Sequence, residues 1–177
     1  SQILLGIASV VENRDDSTGG HIKRTSDVIR ILIDVIREKN ILQLSDEFCE
    51  DLIKAAPMHD LGKIGIDDKI LRKPGKLTDE EFSIMQSHVI KSAQLVEKIL
   101  NGVEEEHFVK VATNVAKHHH EKWNGMGYPD KLICEEIPLE SRIMAIADVY
   151  DALVSKLCYK EPMSFEQADS VMIDSMG

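Results

Sequence analysis

The sequence predicts an all-α fold. Apolar residues recur at intervals of three and four along most of the chain, and no segment keeps the strict alternation of a half-buried strand. Hydrophobic residues make up 43% of the 177 residues but aromatic residues only 5%, which indicates a core of Leu, Ile and Val carried on helices. A chain of this length forms one ordinary domain, so we expect a single helical bundle across residues 1–177.

The helices are expected where apolar periodicity coincides with residues that begin or end helices. In chain order they span residues 3–12, 21–39, 46–59, 79–100, 105–122 and 138–155. Ser45 can cap the third helix, and Thr78-Asp79-Glu80-Glu81 is a capping box that opens the fourth. A second box, Ser164-Phe165-Glu166-Gln167, opens a last short helix. The stretches between, rich in Gly, Pro and polar residues, are expected to be loops: residues 13–20, 63–76 and 124–137.

Charge and cysteine content limit the partners and the compartment. The net charge of −10 argues against a nucleic-acid polymer as partner, because such binding needs a basic face. A small phosphate ligand remains compatible, since bound metal cations reverse the local field. No apolar run reaches the roughly 20 residues of a membrane span. The three cysteines show no CxxC spacing, which is typical of thiols in a reducing cytosol, so a cytoplasmic location is expected.

The two ends of the chain suggest that more protein surrounds it. The sequence begins without methionine and stops within a helical pattern, so we expect a domain of a longer multidomain protein. The first helix carries more apolar residues than its length needs for one buried face. That excess would suit pairing between subunits in a homodimer.

A His-Asp doublet, His59-Asp60, stands where the third helix is expected to end. A lone histidine there would ordinarily interact with the helix dipole, but a carboxylate at that position is repelled by it. A metal ion would offset the repulsion, with the imidazole binding one ion and the carboxylate bridging two. Lys63, one turn further, can contact a phosphate oxygen as a point charge. Without the metal motif, Lys63 would be interpreted as an exposed lysine.

Other side chains can complete a set of ligands for two metal ions. Taken singly, His88 fits a hydrogen-bonded core histidine and His21 a polar residue at a helix start. Asp148 stands among alanines and aliphatic residues, so it is expected to be buried and to need a partner. Asp151, one turn later, is expected to support the ligands or to accept an N–H. Each signal is weak alone, and their conjunction favours a metal centre.

Three consecutive histidines, His118 to His120, stand near a predicted helix end. Adjacent helical residues point about 100° apart, so three cannot face one site, although two can if the helix ends there. We therefore take His119 and His120 as ligands and leave His118 outside. His107 is expected to lie on the surface.

The chemistry of these donors favours iron, manganese or zinc over calcium or magnesium. Two such ions a few ångströms apart suit displacement at phosphorus, because one activates water and both stabilise the oxygens that gain charge. After the histidines comes Gly125-Met126-Gly127-Tyr128-Pro129, with glycines that permit positive φ and a proline that stiffens the exit. This segment is either a bare turn or a rigid wall for a substrate or a protein partner.

At these residues the chain resembles the HD-GYP family, a branch of the HD phosphohydrolase superfamily. His59-Asp60 matches the HD element and Gly127-Tyr128-Pro129 the GYP element, while Lys63-Ile64-Gly65-Ile66 and the block 148–153 also look like family segments. The match covers nearly all of the chain. The resemblance implies an all-α HD-domain helical bundle from a bacterial signalling protein that hydrolyses cyclic di-GMP to pGpG or GMP.

The resemblance also implies two divalent metal ions, iron or manganese, bridged by Asp60 and a hydroxide that attacks phosphorus. Lys63 would steady a non-bridging oxygen. One metal ion would be held by His21, His59, Asp60 and Asp148. The other would be held by Asp60, His88, His119 and His120.

Two positions depart from the family's pattern. Ser17 stands where some members place a glutamate and hold a third metal ion, which favours two ions here. Leu157 stands where the family usually has an arginine, and Lys156 or Lys160 would have to supply that phosphate contact without the bidentate fork. Two alternatives therefore stay open. One is an HD hydrolase for another cyclic dinucleotide or nucleotide, and the other is a weakly active module that senses a ligand or docks a GGDEF-type protein.

Overall fold

Helices dominate the described part of the chain. The structure is a computed structural model that describes residues 2–15 and 20–157, with side chains as far as Ser155. The helices are α1 (Gln2–Asp15), α2 (His21–Glu38), α3 (Asp46–Ala55), α4 (Asp68–Leu71), α5 (Asp79–Gln86), α6 (His88–Ile99), α7 (Glu106–His118) and α8 (Leu139–Leu157). Short 3-10 helices span Ala56–Met58, Leu61–Gly65 and Cys134–Glu136. Across these ranges no strand forms, and one isolated bridge joins Asn124 to Ile133.

The all-α prediction is confirmed, and the core follows the apolar faces that the sequence indicates. Its largest fully buried aliphatic side chains include Ile29, Leu52, Met58, Ile66, Val96, Val115 and Met144. Burying each contributes roughly 1.5–3 kcal/mol. Three histidines are buried with them, His59, His88 and His119, each at most 2% exposed. Polar rings are seldom buried without a partner for their nitrogen atoms. These three histidines are therefore expected to have hydrogen-bond partners or a metal ion beside them.

Helix α1 is longer than the sequence predicts, since it runs to Asp15 rather than ending near residue 12. Residues 13–15 were expected to be loop because of their polarity. The side chains of Arg14 and Asp15 instead contact the 3-10 helix Leu61–Gly65: Arg14 binds its backbone and Asp15 pairs with Lys63. Such tertiary contacts override local propensity.

The third predicted helix is also interrupted. Helix α3 ends at Ala55, and a 3-10 turn containing Pro57 replaces its last turn. Proline lacks an N–H and its ring clashes with the preceding turn, so the α-helix cannot continue through it. His59 and Asp60 therefore lie in a tight connection, and Ser45 caps α3 as expected, accepting from the Phe48 N–H.

The predicted helix 79–100 forms two helices, α5 and α6. The capping box at Thr78 is present, but the Ser87 hydroxyl donates to the Ile84 carbonyl at 2.6 Å and competes with the backbone ladder. His88 consequently becomes the first residue of α6. The loop expected at 63–76 also contains α4, whose N-cap Asp67 accepts from the Lys69 N–H at 2.8 Å.

Helix α7 ends at His118 instead of continuing to residue 122. This is the condition under which two of the consecutive histidines can face one site. Several predictions fall outside the described residues: the last helix with its box at Ser164, the departure at Ser17, the side chain of Leu157, and Lys160. No helix in the described ranges is long and apolar enough to cross a membrane.

Candidate metal centre

The His-Asp doublet lies where two segments approach unusually closely. A Cβ on Gly62 would lie 2.1 Å from the His88 carbonyl oxygen and 2.3 Å from the Ser92 nitrogen. The Gly62 N–H donates to Ser92 Oγ at 2.7 Å. Only glycine permits this approach, which places Asp60 next to the start of α6 and so next to His88.

The structure brings all seven predicted metal ligands into two adjacent groups. In each group the ligand atoms lie within 4.8 Å of one another. The first group contains Asp60, His88, His119 and His120, and the second contains His21, His59 and Asp148. The described residues therefore offer two neighbouring places for a metal ion.

Asp60 stands between the two groups. Its Oδ1 lies 3.2 Å from His88 Nε2 and 3.5 Å from His119 Nε2. Its Oδ2 lies 3.3 Å from Nε2 of His59, in the second group. Within that group, His21 Nε2 lies 3.3 Å from His59 Nε2 and 3.4 Å from an Asp148 oxygen. A carboxylate so placed can give one oxygen to each group.

Hydrogen bonds on the far side of the rings direct the lone pairs toward this centre. Nδ1 lies 2.8 Å from the Ala56 carbonyl in His59, 2.8 Å from the Met85 carbonyl in His88, and 2.9 Å from the Val115 carbonyl in His119. A carbonyl can only accept, so Nδ1 carries the hydrogen and a neutral ring keeps a free lone pair on Nε2. This arrangement is typical of metal-binding histidines.

Three buried atoms at the centre form no hydrogen bond: Asp60 Oδ1, His88 Nε2 and His119 Nε2. Buried polar atoms are nearly always partnered, because leaving one unsatisfied costs free energy. The two Nε2 atoms lie 3.2 Å and 3.5 Å from Asp60 Oδ1, and two imidazoles with a carboxylate are a common donor set for iron, manganese and zinc. The residues present therefore fit a divalent metal ion.

The surroundings lower the pKa of two of these histidines and raise the pKa of a third. Burial lowers the pKa of His119, and burial together with His119 holds the pKa of His120 well below its usual value. Both rings are thus neutral, as metal ligands must be. Burial also disfavours charge on His59, but the Asp60 carboxylate outweighs it and raises the pKa of His59 to about 9. The neighbourhood of Asp60 therefore attracts a positive charge.

Lys63 lies beside this centre, as predicted. Its Nζ is 2.7 Å from Asp60 Oδ2 and 2.5 Å from Asp15 Oδ2. Burial disfavours the ammonium, yet the two carboxylates outweigh burial and raise the pKa of Lys63. Lys63 lines a cavity of about 580 Å³ together with ligands from both groups and residues of α1 and α8. That volume lies within the range of small-molecule sites.

The Gly-Tyr-Pro segment packs against the end of the histidine run and the two residues that follow it. A Cβ on Gly127 would lie 2.3 Å from the Lys122 nitrogen and 2.5 Å from Glu121 Cα. Gly125 has a φ of 76°, as the sequence predicts, but Gly127 is not in the positive-φ region, so that part of the expectation was wrong. Position 127 requires glycine because a larger side chain would not fit against this backbone. The close contact places the Tyr128 ring on His120, with centroids 5.0 Å apart.

Glu121 holds this segment, and the sequence did not single it out. It is 5% exposed and accepts from the Asp130 N–H at 2.7 Å and the Leu132 N–H at 3.1 Å. Charge-assisted bonds to two backbone donors anchor the loop directly after Pro129. Its position directly after the histidines was the available signal, since a buried carboxylate there needs donors.

The remaining predictions have mixed outcomes. Asp148 was expected to be buried, but its side chain is 23% exposed because it faces the cavity. Asp151 accepts from Arg24 and lies 2.7 Å from His21 Nδ1, so it supports a ligand as expected. His118 turns away from the centre, with Nε2 3.0 Å from Asp130, and His107 is on the surface.

Comparison with known proteins decides the family. A family model described as HD domain matches residues 13–177. The chain belongs to the HD domain family. The resemblance to its HD-GYP branch is confirmed as well.

Its relatives include a "Probable cyclic di-GMP phosphodiesterase" of Vibrio cholerae, 42% identical over 99% of this chain and 40% of the relative. A "Cyclic di-GMP phosphodiesterase" of Thermotoga maritima is 39% identical over 89% of this chain and 40% of the relative. A "3'3'-cGAMP-specific phosphodiesterase 2" of Vibrio cholerae is 36% identical over 99% of this chain and 32% of the relative. The HD domain thus spans less than half the length of each of these relatives.

Proposed function

We propose that this HD domain is a metal-dependent phosphodiesterase that hydrolyses cyclic di-GMP to pGpG or GMP. The observation that carries the proposal is the position of Asp60, whose two oxygens face two separate groups of metal-binding side chains. The names of relatives that are about 40% identical over nearly the whole chain support the substrate.

Two divalent ions, iron or manganese, would be held by the two groups, with Asp60 shared between them. When bound, the ions would activate a water molecule and stabilise the charge that develops on the phosphoryl oxygens. The backbone carbonyls behind His59, His88 and His119 keep the rings oriented, so little reorganisation accompanies binding.

Lys63 supports the same reaction from the cavity side. An ammonium has three N–H donors; two are directed at Asp60 and Asp15, and the third is available to a non-bridging phosphate oxygen. Tyr128 would form a wall rather than act as a base. Burial, with the Asp60 carboxylate, raises the pKa of its hydroxyl, which therefore stays protonated.

A second candidate substrate is 3'3'-cGAMP, a cyclic dinucleotide with the same backbone chemistry. The observation that favours it is the likeness, at 36% identity, to a relative named as specific for that compound. Leu157 stands where the family usually has an arginine that contacts the ligand, which is a second reason to consider this substrate. A GGDEF-type partner, a homodimer and a cytoplasmic location stay predictions.

The first test combines metal content with turnover. Protein purified without air and loaded with iron or manganese is expected to bind about two ions per chain and to release pGpG or GMP from cyclic di-GMP faster than it cleaves 3'3'-cGAMP. Metal would be counted by mass spectrometry and product by chromatography. His107→Ala, an exposed histidine outside the centre, is the control and should behave as wild type. Bound metal with no cleavage would favour a ligand-sensing module, and absence of metal binding would contradict the proposal.

Metal uptake is expected to release protons. A metal ion must displace the proton that His59 carries below its pKa of about 9, so affinity should increase about tenfold per pH unit from pH 6.5 towards 9. His119 and His120 are already neutral and should contribute no proton. Calorimetric titration of Mn²⁺ in two buffers of different ionisation enthalpy measures the protons released. Affinity independent of pH in that interval would contradict this assignment.

A further inference from the structure

The end of helix α1 is fastened to the backbone that carries Lys63. Nη1 of Arg14 donates to the carbonyls of Lys63 at 3.1 Å and Ile64 at 2.9 Å, and Nη2 donates to the Ile66 carbonyl at 2.6 Å. Its Nε donates to Asp68 at 2.9 Å. The Lys63 carbonyl also accepts from the Ile66 N–H at 3.1 Å, and one planar guanidinium thus holds three backbone carbonyls of this short segment.

The next residue, Asp15, binds the Lys63 side chain itself. Its Oδ2 lies 2.5 Å from Nζ, which also lies 2.7 Å from Asp60 Oδ2. The Lys63 side chain is 19% exposed and that of Asp15, nearer the surface, is 30% exposed. Asp15 and Lys63 also line the same cavity as the metal-binding residues.

We propose that Arg14 and Asp15 are positioning residues for Lys63. Arg14 orders the backbone from which Lys63 projects, and Asp15 sets the direction of its ammonium. The inference rests on the proposed function, in which Lys63 contacts a phosphate oxygen. It assigns the positioning of Lys63 to two residues outside the HD motif. They lie at the end of α1, which the sequence predicted to end near residue 12.

Asp15 matters because Asp60 cannot hold Lys63 alone. Asp60 is the carboxylate shared between the two groups of metal ligands, and a carboxylate that binds cations attracts a further cation weakly. An ammonium beside such a centre is also repelled by it. Asp15 offers a second negative charge and belongs to neither group of metal ligands, so it can retain Nζ at the cavity wall while Asp60 binds the metal ions.

The arrangement also couples α1 to the centre. Of the described α1 residues, only Ala8 and Val11 are fully buried, so the polar contacts of Arg14 and Asp15 supply much of its attachment near the site. Glu12 of α1 also accepts from the Ile22 N–H at 2.8 Å, next to His21. A change confined to the contacts of Arg14 and Asp15 would therefore move Lys63 without disturbing the metal ligands, whereas a shift of the whole helix would not. The expected signature is a change in kcat at constant metal content.

A double-mutant cycle tests the role of Asp15. On bis(p-nitrophenyl) phosphate, a general phosphodiester, Asp15→Asn is expected to lower kcat about tenfold to a hundredfold, with KM and metal content little changed. In a Lys63→Met background the same substitution should have no further effect. Equal losses in both backgrounds would overturn the proposal for Asp15. Asp46→Asn, whose carboxylate pairs with Arg37 on the surface, is the matched control.

Hydrogen exchange tests the role of Arg14 without any turnover. Arg14→Lys retains charge but cannot satisfy three carbonyls, so amides of residues 61–68 should exchange about tenfold faster, while α7 stays protected. Arg37→Lys should leave that segment unchanged. Unchanged exchange in Arg14→Lys would overturn the proposal. If the wild type cleaves neither cyclic dinucleotide, the function proposed above fails, yet the exchange result and the general phosphodiester still decide this inference.

Discussion

Replacing Asp60 with asparagine is expected to abolish metal binding and to lower phosphodiester cleavage by about a thousandfold or more. The amide has nearly the same shape but no charge, and one of its two donor atoms becomes an NH₂ group that cannot bind a metal ion. Both groups of ligands would lose the oxygen they share, since Oδ1 faces His88 and His119 while Oδ2 faces His59. Metal per chain and turnover are the measurements.

Asp60→Asn should nevertheless fold. Asp60 Oδ1 forms no hydrogen bond, and Lys63, which loses its pair with Oδ2, keeps the Asp15 carboxylate as a partner. Helical content by circular dichroism is therefore expected to match the wild type. Asp51→Asn is a matched control, because Asp51 also contacts a histidine, with its Oδ2 2.6 Å from His107 Nδ1, but lies outside the centre. Turnover at the wild-type rate in Asp60→Asn would refute the shared role of this carboxylate.

Gly127→Ala is expected to damage both stability and activity. The added methyl group would lie 2.3 Å from the Lys122 nitrogen and 2.5 Å from Glu121 Cα, and neither backbone atom can yield without moving the histidine run. Overpacking of this kind costs roughly 1–3 kcal/mol. Because Tyr128 packs on His120, the shift should also reduce turnover. Urea unfolding and steady-state kinetics measure the two effects.

Gly6→Ala provides the comparison for Gly127→Ala. Gly6 is within α1 and a Cβ there would meet nothing within 4 Å, so alanine should be neutral or stabilising by up to about 1 kcal/mol. If Gly127→Ala proved as stable and as active as Gly6→Ala, the close contact of the Gly-Tyr-Pro segment with Glu121 would not be needed for stability or turnover.

Local signals in the sequence were reliable where the cause is local. The capping box at Thr78 and the N-cap at Ser45 form as predicted, because each depends only on residues three apart. The seven metal-ligand candidates converge, since their types are incompatible with an ordinary apolar core. The interruption of the helix at Pro57 could also have been predicted, because the proline ring excludes a continuous α-helix.

Distant contacts explain what the sequence missed. Asp15 and Lys63 are 48 residues apart, so nothing near position 15 predicts that α1 continues to it. Glu121 likewise acquires its role from Asp130 and Leu132, which reach it only after the chain has turned back. Asp148 was expected to be buried because its neighbours are apolar, and the cavity beside it has no local signature.

The sequence by itself determined the all-α class, the main helices and the kinds of atoms at the centre, because periodicity, caps and donor chemistry are properties of neighbouring residues. Tertiary structure decided that Asp60 stands between two groups of ligands, that Gly127 is needed for space, and that α1 holds Lys63. The positions of Asp60 and Lys63 depend on distances between segments far apart in the chain, and the contact at Gly127 depends on how the loop folds back on Glu121 and Lys122. Packing of the shared core sets such distances to within fractions of an ångström.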